Sequence, residues 1–438
     1  MDSTVALIAS FLLLVVAYSI KAYIAIDHST QGRPPIVPSI IPWLGSAFAF
    51  NRNPIQFLQW CKYVSSTPEN RVTLIFRTYR QKYGSVYMLR LAGQNIIIIS
   101  HPSGISSLHK DPKAFTSKPV HIHMLKVIAG ITHNREHVFE VLHTRLYPQI
   151  VKTFSPTSMT NLANDIDERL RLELRAIGGN ARTPTILKLN EFIGRPLYRA
   201  GCLCLFGPTF PMDTFDDFRL FDAKLPQLIA GLPFIARDGT QARQRLINKL
   251  EEYIKPMWAG EVVEGVSDAI STFMQEMRVT LTRREAASVL LSFVLGFHFN
   301  TWYMIFWLIS HLLVDKDALE RLVGELRLRG TTPSHGTPLM DSAVYETLRW
   351  ATKTPTVRMA VNDTSIVVEG EPITVQKGDY VIADVRSVHY DPEVYPNPDK
   401  FEVDRFVNAG EKSNFMGLKP LSWGGGVHMV RVWNTVLF

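Results

Sequence analysis

Glu346 and Arg349 stand three residues apart in the stretch YETLRW, a spacing that puts two side chains on one helix face. On a surface such a pair contributes little. Tyr345, Leu348 and Trp350 around it predict burial, and a buried carboxylate–guanidinium pair needs further charged hydrogen bonds. A third member stands downstream in YPNPDKFEVDRF, where Arg405 sits among Phe401 and Phe406. The expected arrangement is a Glu346–Arg349–Arg405 cluster.

Three other sets of residues have chemical potential. The stretch LSWGGGVHM carries Trp423, Gly424, Gly426 and His428, and a glycine run lets a backbone approach a ligand closely. It lacks the Lys-Ser/Thr and the strand–helix context of a phosphate cradle. His133 and His137 are four apart, as two metal ligands on a helix would be, with Glu136 adjacent but out of register. Read that way they suggest a metal hydrolase; read plainly they are a polar helix face. Asn300 and Thr301 put polar groups inside an otherwise apolar run.

That run, about Arg284 to Leu313, predicts the longest helix, about 45 Å at 1.5 Å per residue. It is apolar nearly all round, which predicts burial in a core; His298, Asn300 and His311 make a membrane span costly. Gly296 leaves room for a ligand or a neighbour, and Asn300 and Thr301, one turn on, need partners there. Phe297, Phe299 and Trp302 are expected to line an apolar pocket suited to a sterol, a fatty acid or another lipophilic metabolite.

Strands are expected at both ends of this helical body. NIIIIS from Asn95, with GSVYMLRLAG before it, predicts a small amino-terminal sheet, and Ile366 to Asp384 reads as strands with glycine turns. Between Ser155 and Leu328 the periodicity is helical. The fold class is therefore mainly α with small β-sheets. Residues 1–26 hold a charge-free run, Val5 to Ile20, followed by Lys21 and Arg33, which reads as a retained membrane anchor with the rest of the chain in the cytosol. A proline-rich connector, 27–50, follows, and residues 51–438 form one large domain.

Bulk composition narrows the functions. Of 438 residues, 46% are hydrophobic, enough for a large core. Lys plus Arg exceed Asp plus Glu by 47 to 40, and this mild excess suits anionic lipid or an acidic partner. No like-charge block of the kind found in nucleic-acid arms occurs. Cys61, Cys202 and Cys204 make no disulfide framework, which points to a reducing compartment.

Taken in order, Glu-x-x-Arg, Pro-x-x-Phe-x-x-x-Arg-Phe and Trp-Gly-Gly-Gly-x-His resemble the cytochrome P-450 family, over essentially the whole chain. Val403 stands where the family often has proline. The resemblance implies a heme-dependent monooxygenase anchored in the endoplasmic reticulum membrane, its catalytic domain cytosolic, oxidising a lipophilic small molecule with electrons from an NADPH-dependent reductase. It implies a structural, heme-side role for Glu346, Arg349 and Arg405. Arg358 in TPTVRM and His428 would meet the heme propionates, and Trp423, Gly424 and Gly426 would pack under the ring. Arg135 or Arg145 is a further propionate candidate. Asn300-Thr301 stands where many members carry an acid–threonine pair on the oxygen side, in an arrangement that looks like the branch containing prostacyclin synthase and the cholesterol hydroxylases.

The resemblance stops at Met429. The family's iron ligand is a cysteine, and Val430 occupies its place; RVWNTVLF follows no family pattern. A thiolate pushes electron density onto iron, and valine has no lone pair to give. Three readings stand open: a monooxygenase whose carboxyl end reflects a misread splice donor, an isomerase or dehydratase working without a reductase, and a non-catalytic remnant.

Overall fold

The computed structural model describes residues 32–37, 79–91, 94–178, 186–229, 234–329, 337–352, 355–407 and 421. They fall into two compact units. One joins residues up to 120 with 353–396, and the other joins 121–352 with 397–407 and 421. The anchor (1–26) and most of the connector lie outside the described residues, as do Cys61, Trp423, Gly424, Gly426, His428 and Val430.

The first unit carries the sheets. β1 (Val86–Leu91) and β2 (Gln94–Ile99) pair antiparallel, with Val86 opposite Ile99 and Leu91 opposite Gln94. With β3 (Phe115–Thr116), β4 (Thr356–Ala360) and β7 (Tyr380–Ala383) they make one sheet in the order β1-β2-β7-β4-β3. The β-branched run of β2 is buried, and it pairs in parallel with β7, Ile97 opposite Val381. β5 (Thr364–Val368) and β6 (Glu371–Val375) form a separate hairpin. Its two-residue turn, Glu369–Gly370, has φ of 54° and 89°, the left-handed pair that matches strand twist. Helix α1 (Pro102–Lys110) follows β2.

Residues 32–37 run alongside β1: Val37 N–H donates to the Met88 carbonyl at 2.9 Å, and Met88 N–H to Pro35 at 2.8 Å. Arg33 fixes this segment by an ion pair to Asp379 at 2.6 Å, with side chains 5% and 4% exposed. Gln376 accepts from the same guanidinium, and Asn95 donates to Asp379 at 3.1 Å.

The second unit is helical. Its main elements are α2 (Leu189–Phe206), α3 (Phe215–Ile229), α4 (Arg283–Val314), α5 (Lys316–Arg329) and α6 (Pro338–Ala351). α4 starts at a capping box: Thr282 Oγ1 accepts from Glu285 N–H, and the Glu285 carboxylate accepts from Thr282 N–H at 2.9 Å. It is long and apolar enough to cross a membrane, yet 56% of its most apolar window is buried in the chain. Aromatic rings of α2 and α3, among them Tyr198, Phe215 and Phe218, cover the middle of α4. Met304, Leu308 and Leu312 in its carboxyl half pack with Leu322 of α5 and Leu339, Val344 and Leu348 of α6.

Candidate functional site

α6 brings the sequence-predicted ion cluster together. Thr337 caps the helix by accepting from Met340 N–H at 3.2 Å, and Pro338 opens its first turn. One turn from the end, Arg349 donates to both oxygens of Glu346, Nε at 2.7 Å and Nη2 at 2.8 Å. Arg405 reaches the same carboxylate from the 397–407 segment, Nε to Oε2 at 2.9 Å. Both side chains of the Glu346–Arg349 pair are fully buried.

Two guanidiniums on one buried carboxylate leave an excess positive charge, which the structure offsets. Arg349 also donates to the carbonyls of Pro398 and Lys400, at 2.8 and 3.3 Å. Arg405 donates to Asn397 and Lys400, at 3.2 and 2.9 Å, and pairs with Glu402 at 3.2 Å. Glu402 N–H returns a bond to Glu346 Oε1 at 3.0 Å, and Phe406 N–H donates to Ser342 Oγ at 2.9 Å. The cluster therefore fixes an irregular segment onto a helix. Its central carboxylate, Glu346, has no solvent-facing oxygen with which to do acid–base work.

Arg358 sits on β4, opposite Val381 of β7. Its guanidinium is half-buried, and its Nη1 donates to the Val357 carbonyl at 3.0 Å. It has no ion pair with another described residue. Burial pushes its pKa below the usual arginine value. A cation in that setting gains from any carboxylate brought beside it.

The central helix holds Asn300 and Thr301 in different settings. Asn300 is exposed although Phe297, His298, Phe299 and Trp302 around it are buried. Thr301 is half-buried and its hydroxyl leans back on the Phe297 carbonyl at 3.4 Å. Among the described residues nothing comes within 4 Å of a Cβ built on Gly296.

The three aromatic residues expected to line a pocket are core residues instead. Phe299 lies against Phe218 at 4.9 Å, and Trp302 against Phe215 at 5.8 Å. Trp302 also fills the space above Gly194, and Phe297 that above Gly201. The cause is periodicity: α2 and α3 cover the sides on which these rings lie, and the accessible line runs through Gly296 and Asn300.

Of the two described thiols, Cys202 belongs to the core and Cys204 is half-buried, and burial raises the pKa of both. Cys202 Sγ lies 3.4 Å from His298 Nε2, and burial pushes the thiol well up. Cys204 is pushed up to about 11, chiefly by burial. His298 is fully enclosed and burial lowers its pKa to about 3, so its ring is neutral.

The paired histidines do not make a metal site. The helix begins at Arg135, after Asn134 in a left-handed conformation, so His133 lies outside it. His137 meets the Thr280 carbonyl at 3.0 Å. Among the described residues no group of three or more potential metal ligands occurs. A contact missed by sequence reading joins His121 to His143, at 3.1 Å, where a π-helical segment (Leu142–Leu146) interrupts the helix. Arg145 pairs with Glu276 at 3.8 Å.

A second missed contact lies on α4 itself. Tyr303 donates its hydroxyl proton to Asp222 of α3, a carboxylate only 3% exposed. Tyrosine in an apolar run reads as core, and only the fold reveals its partner.

Comparison with known proteins places these features in a family. Residues 53–425 match the family model described as cytochrome P-450. The chain is 24% identical over 423 residues to cytochrome P-450 7A1 of Oryctolagus cuniculus, covering 87% of this chain and 77% of that protein. It is 25% identical over 441 residues to the 7-alpha-hydroxycholest-4-en-3-one 12-alpha-hydroxylase of Homo sapiens, covering 90% and 81%. In structure it is similar to the retinoic acid-bound cyanobacterial CYP120A1, with a TM-score of 0.67 at 18% identity over 93% of this chain and 91% of that one.

Proposed function

Because the chain belongs to the cytochrome P-450 family, we propose that its site is built to oxidise a lipophilic small molecule, with a steroid nucleus the favoured class. Two relatives with that chemistry in their names, a cholesterol 7-alpha-monooxygenase and a 12-alpha-hydroxylase of a cholestenone, support the substrate class. The observation that carries the reading is Arg358, a half-buried cation with no carboxylate partner among the described residues, which fits a heme propionate.

Heme, when bound, supplies the iron at which dioxygen is activated. The chain's own residues hold and shield it. Arg358 would take one propionate, and His428 is proposed for the other. Trp423, Gly424 and Gly426 are proposed to pack against the ring. Glu346, Arg349 and Arg405 keep the 397–407 segment rigid on α6. Thr301 and Asn300 are proposed to face the oxygen side. A neutral amide at 300 does not deliver a proton as a carboxylic acid would, and that leaves the rearrangement of an oxidised substrate as a second reading.

The fit is incomplete at the residue that would ligate the iron. Val430 has no donor atom, and burial pushes the Cys202 and Cys204 thiols up, away from the thiolate form. The chain with valine at 430 is accordingly expected to be inactive as a monooxygenase. Residues 1–26 are proposed as an anchor in the endoplasmic reticulum membrane, with an NADPH-dependent reductase as electron source for any member of the line that keeps the ligand.

The test is spectroscopic. The purified chain, titrated with heme, should bind it without the thiolate-type carbon monoxide spectrum, and Arg358→Met should weaken that binding about tenfold. An iron-to-protein ratio near one with a thiolate-type spectrum would overturn the assigned inactivity. Heme binding indifferent to Arg358→Met would remove the propionate assignment. Turnover without NADPH would favour the rearrangement.

A further inference from the structure

Three charges meet at the β1 edge of the large sheet. Arg33 lies in the segment alongside β1, Arg90 stands on β1 opposite Asn95, and Asp379 immediately precedes β7. Asp379 is committed to other donors. Its Oδ2 accepts from Arg33 Nη2 at 2.6 Å and from Gln376 N–H at 2.9 Å, and its Oδ1 accepts from Asn95 at 3.1 Å. Nothing comparable holds Arg90. Among the described residues it makes no ion pair, and its buried Nε has no hydrogen-bond partner, nor has that of Arg33. Burial, with the neighbouring Arg33 charge added, lowers the Arg90 pKa below the usual arginine value. The guanidinium stays charged near neutral pH all the same.

Two cations against one carboxylate leave a positive excess. The Arg33 and Asp379 side chains are nearly enclosed, at 5% and 4% exposure, whereas Arg90 is partly accessible, so the excess is reachable at Arg90. A guanidinium offers parallel N–H groups that match two oxygens of a phosphate. The place of this edge in the chain says where such a phosphate comes from. Arg33 stands seven residues after Ile26, the end of the proposed anchor, and that length of chain spans at most about 25 Å. Val37 N–H to Met88 and Met88 N–H to Pro35 then fix residues 32–37 to β1. A bilayer that holds residues 1–26 thus keeps the β1 edge near its head groups. It presents its phosphates as a plane, so a surface cation suffices and no cavity is needed.

We propose that Arg90, beside the Arg33–Asp379 pair, is a binding site for the phosphate of an anionic membrane lipid. The proposal rests on the reading of residues 1–26 as a membrane anchor and adds a lipid ligand held by the sheet. Arg90 donates to the phosphate oxygens. Arg33 adds its charge from beneath, and Asp379 keeps Arg33 in place. A zwitterionic lipid brings a cationic choline with its phosphate, and both arginines repel it, so the site prefers phosphatidic acid to phosphatidylcholine.

The test uses the full 438-residue chain in phosphatidylcholine vesicles, with and without added phosphatidic acid. Arginine modification by phenylglyoxal is mapped by mass spectrometry. Phosphatidic acid at about ten times its dissociation constant should slow modification of Arg90 roughly tenfold. Arg171, an exposed arginine of the helix Pro156–Gly178, should react equally in both vesicles. In neutral detergent, dihexanoyl phosphatidic acid should bind the same chain, and Arg90→Gln should weaken it roughly tenfold, the loss of one hydrogen bond to a charged group. Thermal melts followed by circular dichroism confirm that the variant is folded. Equal Arg90 rates in the two vesicles, protection shared by Arg171, or an affinity that Arg90→Gln does not change would overturn the proposal. The anchor reading survives any of these as long as the chain floats with the vesicles. Equal protection by inorganic phosphate would assign the site to a free anion instead of a lipid. A chain that floats with neither vesicle would sink the anchor reading and the lipid assignment with it.

Discussion

Arg349 holds Glu346 through two hydrogen bonds at once, 2.7 and 2.8 Å, with neither side chain reaching solvent. The planar fork of a guanidinium matches a carboxylate in this way, and a lysine ammonium does not. Arg349→Lys is therefore expected to destabilise the fold by about 3 kcal/mol, the typical cost of breaking a buried pair. Glu346→Gln should cost at least as much, since it leaves Arg349 and Arg405 without their shared charge. Urea denaturation measures both, and a loss under about 1 kcal/mol for Glu346→Gln would show the cluster to be dispensable.

Two glycines of the core form an internal control. At Gly194 an added Cβ would lie 2.3 Å from Trp302 Cζ2, and a ring packed among α2, α3 and α4 has nowhere to move. Gly194→Ala should destabilise by about 1–3 kcal/mol as an overpacked site does. Gly296→Ala should stabilise the helix by up to about 1 kcal/mol, because alanine is the better helix former and no described residue lies within 4 Å of an added Cβ. Melting temperatures of opposite sign are the expected result.

His298 makes stability depend on pH. In the folded chain burial lowers its pKa to about 3, against an ordinary value of 6.5 once unfolded. Above pH 6.5 both states hold a neutral ring and the residue has no pH effect. Between 6.5 and 3 the unfolded chain binds a proton that the folded chain refuses, so stability falls as the pH falls. The slope is about 1.4 kcal/mol per pH unit for one proton. His298→Phe should flatten the profile in that window, whatever it does to stability at neutral pH. Melting curves from pH 7 downward test this, and parallel profiles for the two proteins would contradict it.

The Arg33–Asp379 pair ties residues 32–37 to the sheet, with both side chains nearly enclosed. Arg33→Ala should free that segment, leave Asp379 short of its cation and cost about 3 kcal/mol. Limited proteolysis should then cut around Arg33 to Val37 well before the body of the chain. Unchanged cleavage kinetics would place the strength of the attachment in the backbone bonds to β1 instead.

What the sequence reveals follows the range of the interaction. α4 is legible because its capping box, apolar run and end lie within one stretch, and the structure gives Arg283–Val314 against an expected 284–313. Glu346 and Arg349 are legible for the same reason, and Arg405 adds only one longer step. The parallel pairing of β2 with β7 has no local signal, since nothing in NIIIIS names a partner near Tyr380. Arg33 and Asp379 are 346 residues apart, and Arg33 reads in the sequence only as a positive charge following the apolar run. The aromatic residues of α4 show the limit differently: their burial was legible, but which neighbour each meets depends on where α2 and α3 lie.

The order in which these helices are synthesised has a consequence for α4. A run this apolar passes the hydropathy test for a membrane-crossing helix, so a nascent chain exposing it alone would invite insertion or aggregation. The helices that cover its middle, α2 and α3, precede it in the chain. They have left the ribosome before Arg283 does, so a binding surface for α4 awaits it as it emerges. Met304, Leu308 and Leu312 wait longer, because α5 and α6 are made afterwards. During translation the carboxyl half of α4 is thus the part most in need of a chaperone.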